Sequence, residues 1–89
     1  MFKNNQELYD FVDVLILKLK EIDEQQWAVA FQDAKTISAM PGEILGELRA
    51  AFIKFRKTRI PKEIGVQNEV KDAIKYLNHS LSIFRIFDS

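Results

Sequence analysis

Apolar residues recur at helical spacing along almost the whole chain, and only three glycines and two prolines interrupt its 89 residues. A sandwich or barrel needs many more turn residues, and a nucleotide fold needs a glycine-rich turn after a strand. The sequence therefore predicts an all-α fold: a compact antiparallel bundle of four helices over about 5–21, 24–35, 41–58 and 62–87, the second of them short. The length suits one domain, residues 1–89, with a single core.

Local signals set these limits. Asn4 followed by Glu7 has the form of a capping box, with Asn in place of Ser or Thr. Asp23 and Gln26 suggest a similar cap for the second helix. Thr36 to Met40 reads as a loop, and Pro41 suits a first helical position, where its missing N–H leaves nothing unpaired. Pro61 ends the third helix and opens the fourth, although Gly65 disturbs that helix's first turn. The expected core contains Phe11, Leu15, Leu19, Trp27, Phe31, Leu48, Phe52, Phe55, Ile74, Leu77 and Leu81. Leu8, Val12, Ile22, Ala30, Ala34, Ile44, Leu45, Ala51, Val66, Val70, Ala73 and Phe84 complete the inner faces.

Composition narrows the function by exclusion. Thirteen Lys and Arg balance thirteen Asp and Glu, so the chain is neither a generally basic binder nor an acidic tail. It has no cysteine, which excludes disulfides and thiolate chemistry and fits a cytoplasmic location. The longest aliphatic run, Val14 to Leu17, is far short of the ~20 residues of a membrane span. Residues 1–6 do not lead into a signal-like segment.

Catalytic constellations are not evident. His79 is the only histidine. It lies off the apolar stripe with no carboxylate three or four residues away, and reads as a surface residue. One histidine cannot build a zinc or di-iron site. Glu7 and Asp10, like Glu43 and Glu47, are acids placed where a helix N-terminus favours them. Gly42 and Gly46 match no phosphate fingerprint. Gly46 and Ala50, four apart on the back of the third helix, read as a place where a neighbouring helix of the bundle comes close. The expectation is a protein that is not an enzyme, with no cofactor, no metal and no small-molecule ligand.

Charge is unevenly placed. Residues 1–48 carry nine acids and four bases, residues 49–62 six bases and no acid, and residues 63–89 four acids and three bases. Arg49, Lys54, Arg56, Lys57, Arg59 and Lys62 could therefore meet nucleic acid or an acidic partner. No polar set for reading bases accompanies them, and cations at a helix C-terminus are favoured by the dipole alone. Nucleic acid is thus the secondary expectation. Apolar residues also exceed what one stripe per helix requires. Val14 and Leu17 point away from the first helix's inner face, and Tyr76, Ile83 and Phe87 form a second stripe on the fourth. Either the fourth helix is buried on two sides, or these five residues form a protein interface, with a two-fold homodimer as the first form. The primary expectation is a small regulatory or adaptor module that binds protein. A regulator associated with nucleic acid through 49–62 comes second, and a toxin-neutralising or immunity-type protein third.

Overall fold

The computed structural model describes the backbone of residues 1–88 and the side-chain surroundings of residues 1–82. It contains α1 (Asn5–Glu21), α2 (Gln25–Thr36), α3 (Pro41–Phe55), α4 (Ile60–Glu63) and α5 (Gln67–Asp88), with no strand among the described residues. The four longer helices form an all-α bundle. α1 packs on α2, α2 on α3 and α3 on α5, while the single turn of α4 rests beside α5.

The start of α1 follows its cap. Asn4 is extended and its Oδ1 accepts the Glu7 N–H at 2.9 Å. The reciprocal half of the box is displaced by one residue: Glu7 Oε1 accepts from the Lys3 N–H at 2.9 Å, not from Asn4. The expected cap at Asp23 is not there. Asp23 instead adopts φ 60° in the turn between α1 and α2. There the Glu24 N–H donates to Leu19 O at 2.8 Å and the Asp23 N–H to Lys20 O at 3.2 Å. This is a Schellman ending with aspartate in the left-handed position, which Asp tolerates better than most residues.

The same turn divides the expected fourth helix. Gly65 has φ 72°, the Val66 N–H donates to Pro61 O at 2.9 Å, and the Gly65 N–H donates to Lys62 O at 3.3 Å. Residues 60–88 are therefore two helices, α4 and α5, in place of one over 62–87. α3 also ends earlier than the expected 58. Thr58 Oγ1 donates to Phe55 O at 2.8 Å and accepts from the Ile60 N–H at 3.3 Å, turning the chain into α4.

Leu8, Val12, Leu15, Leu19, Phe31, Leu45, Leu48, Phe52, Phe55, Val70, Ala73 and Leu77 are buried as the periodicity requires. Ile16 and Ala28 are buried too, beyond the stripes read from sequence. Phe11, Trp27 and Leu81 are only partly buried and pack against the core from its margin. Ile22 is exposed, because α1 has already ended there. Ring contacts join the helices: Phe31 lies 4.8 Å from Phe52 and 5.3 Å from Phe55, and Trp27 lies 5.1 Å from Phe55. Phe11 stacks on Phe52 at 6.2 Å.

Among the described residues the Gly46–Ala50 face of α3 meets no neighbouring helix. Ala50 is exposed, and a Cβ placed on Gly46 would have no neighbour within 4 Å. Glycine there costs backbone entropy with no steric return, so Gly46→Ala should raise stability by ~0.5–1 kcal/mol in a denaturant titration. Truncation of the core should act the other way. Phe31→Ala should lower stability by ~3–5 kcal/mol and Leu77→Ala by ~2–5 kcal/mol. Leu17→Ala, measured at low concentration, should stay within ~0.5 kcal/mol of the parent. Thermal melts that failed to separate Leu17→Ala from the other two would refute the assignment of inner and outer faces.

Candidate interaction surfaces

Three regions carry the residues singled out by sequence. The first is the outer face of α1. Val14 and Leu17 are 49% and 61% exposed, one turn apart on the side opposite the buried Leu8, Leu15 and Leu19. Asp10, Asp13, Lys18 and Glu21 are exposed around them. Asp13 is held by an ion pair to Lys35 of α2, which leaves Asp10 and Glu21 as the acids of this face without an ion-pair partner among the described residues.

The second region is the expected outer stripe of α5, and the structure places its first member otherwise. Tyr76 is half-buried and packs against the core. Its hydroxyl donates to Asn5 Oδ1, and its ring meets Phe2 edge-on at 6.3 Å. Tyr76 thus ties α5 to the start of α1 and is withdrawn from a free surface. Ile83 and Phe87, like Phe84, lie outside the residues whose side chains are described. Tyr9 belongs to the same seam. Partial burial first, and the neighbouring Tyr76 phenol second, push the Tyr9 hydroxyl above its ordinary pKa, against an opposing pull from Lys35.

The third region is basic. Lys54, Arg56, Lys57, Arg59 and Lys62 are all exposed, strung from the end of α3 through α4. Arg49 is separated from them. Its Nε donates to Asn78 Oδ1 at 2.6 Å across the α3–α5 contact, beside a shallow cleft of about 220 Å³ that also involves Leu81 and Ser82. A second cleft, of about 190 Å³, opens among Arg56, Lys62 and Lys71. Lys71 joins the basic group only through the fold, since Glu63, Glu69 and Gly65 intervene in sequence.

Sequence reasoning also missed exposed apolar residues on α2 and in the loop after it. Val29, Ile37 and Met40 are 54%, 60% and 62% exposed. Ile37 and Met40 flank a connection in which the Met40 N–H donates to Ser38 Oγ at 3.0 Å. A loop of five residues holding Ile, Ala and Met was the available signal. Among the described residues no buried polar group lacks a partner, and no three His, Asp or Glu side chains gather to hold a metal ion. No helix is long and apolar enough to cross a membrane among the described residues.

Comparison with known proteins gives no relative: no family model, curated protein or solved structure matches the chain.

The Tyr9 environment sets a pH dependence. A phenol whose pKa is higher folded than unfolded binds its proton more tightly in the folded state. Its contribution is complete below the unfolded value near ~10 and is lost as pH rises through the folded value. Stability should therefore fall above pH ~10, and Tyr9→Phe should lessen that fall while leaving neutral-pH stability little changed. Urea midpoints measured on both proteins across the alkaline range are the check.

Proposed function

We propose that this chain is a non-catalytic helical module of the cytoplasm that acts by binding protein, with a second copy of itself as its first partner. The observation that carries this reading is the pair Val14 and Leu17, two aliphatic side chains adjacent on the outer face of α1 and about half exposed or more. A standard interface removes ~800 Å² from each partner, so this pair would be the centre of a contact whose rim is polar. The charges suit a two-fold arrangement. Asp10 and Glu21 beside the pair on one copy complement the basic 54–62 segment of the other, and symmetry repeats that contact. Such charges set orientation and association rate more than affinity.

Tyr76 is left out of this surface because it serves the α1–α5 seam. A second reading, in which the basic segment contacts nucleic acid, is favoured by the exposure of all five residues Lys54, Arg56, Lys57, Arg59 and Lys62. The excess of acid over base in residues 1–48 and the engagement of Arg49 with Asn78 weigh against it.

Sedimentation equilibrium tests the proposal. The mass should rise from the 10.4 kDa of one chain toward twice that value as concentration reaches the high micromolar range. Val14→Asp combined with Leu17→Asp should hold the protein monomeric with unchanged helicity, and should melt lower than the parent only at concentrations where the parent dimerises. A parent chain that stays monomeric throughout refutes the second-copy reading.

A further inference from the structure

We infer that the cleft among Arg56, Lys62 and Lys71 binds a single phosphate monoester group. Three elements bring these cations together: Arg56 caps the end of α3, Lys62 lies in α4, and Lys71 lies in the second turn of α5. No carboxylate lines the cleft. None of the three cations makes an ion pair or side-chain hydrogen bond among the described residues, although Glu63 and Glu69 are close in sequence. Crowding like charges around one concavity is unfavourable when it is empty, and a doubly charged oxyanion relieves it.

Size and shape favour one group over a large ligand. The cleft holds about 190 Å³, below the ~300–1,000 Å³ of pockets that enclose drug-sized molecules. Buried Pro61 and Val70 make its apolar wall. That wall is fixed by the left-handed Gly65 turn, in which the Val66 N–H is bonded to Pro61 O. The Gln67 side-chain amide adds a neutral donor to the lining, while Thr58, whose hydroxyl already donates to Phe55 O, only shapes it. Arg56 offers a planar fork to two oxygens, while the lysines act as point charges.

A monoester dianion fits better than a nucleic-acid backbone. Each backbone phosphate carries one charge and a long polyanion runs past the cleft toward the rest of the surface. There the chain outside residues 49–62 has six more acids than bases. The group could come from a phosphorylated small molecule or from a phosphorylated side chain, and the probes separate these sources.

The test is an amide NMR titration with inorganic phosphate, phenyl phosphate, a short phosphoserine peptide and duplex DNA, each against chloride at matched ionic strength. Phosphate and phenyl phosphate should shift the Thr58, Gln67 and Lys71 amides saturably, while chloride leaves them in place. Tighter binding of the peptide than of phenyl phosphate would assign the group to a protein, and the reverse order to a small molecule. Arg56→Gln with Lys62→Gln and Lys71→Gln should weaken phosphate binding tenfold or more. Arg56→Lys, which keeps charge and loses the fork, should weaken it several-fold. Lys18→Gln with Lys20→Gln, away from the cleft, should leave it unchanged. Shifts reproduced by chloride, binding that survives the triple substitution, or DNA that binds tightly and is not displaced by phosphate would each overturn the assignment.

Discussion

The bundle is held by a connected chain of aromatic rings. Trp27 touches Phe55, Phe55 and Phe52 both touch Phe31, Phe52 stacks on Phe11, Phe11 meets Phe2, and Phe2 meets Tyr76. Seven rings thus cross from α2 through α3 and α1 to α5. Phe31, Phe52 and Phe55 are wholly enclosed, and the outer members grade toward solvent. Offset and edge-on ring pairs add to the burial of apolar area and restrict how the helices can slide. The chain has no cysteine and, among the described residues, no buried polar residue, so this packing fixes the relative positions of the helices. A small core ordinarily leaves little stability to spare, so the joined rings matter more here than in a larger domain.

No polar or charged residue is buried among those described, so their polar groups all lie at or near the surface. There the chain sorts its groups by region. The outer face of α1 mixes two aliphatic residues with acids, and the α3–α4 end is basic. One helix pair is already locked by Arg49 and Asn78. For the protein-binding role proposed above, two surface regions of opposite sign would favour one docking pose over others.

Much of this architecture was legible because it follows local rules. Asn4 and Pro41 announce the starts of α1 and α3, and the inner faces follow the 3.6-residue period. The two Schellman turns show the limit of that reading. Gly65 signals its left-handed backbone openly, yet its consequence, a break into α4 and α5, depends on the Val66–Pro61 bond. Asp23 adopts the same conformation and resembles an N-cap instead, since aspartate serves in both. Ile16 was missed because α1 is covered over a wider arc than a single stripe. Tyr76 was misplaced because its partners, Asn5 and Phe2, lie at the far end of the sequence. The exposure of Val14 and Leu17 was readable from the period alone. The cleft was not, for Lys71 joins Arg56 and Lys62 only after two turns have folded the chain back.

The seam between α1 and α5 gives the molecule an order of assembly. Among the described residues every extensive helix contact joins neighbours in the chain or elements separated by one short turn. The Tyr76–Asn5 bond spans 71 residues, and the Phe2–Tyr76 contact and the Met1 ammonium–Asp72 pair at 3.8 Å close the same long loop. Long loops carry an entropic cost that local contacts do not, so the seam closes last as the chain folds. An excursion that frees Asn5 and Phe2 from Tyr76 frays only the segment leading into α1, because α1 itself stays packed on α2 through Leu8, Val12, Leu15, Ile16 and Leu19, and amide exchange at the start of α1 will run ahead of global unfolding.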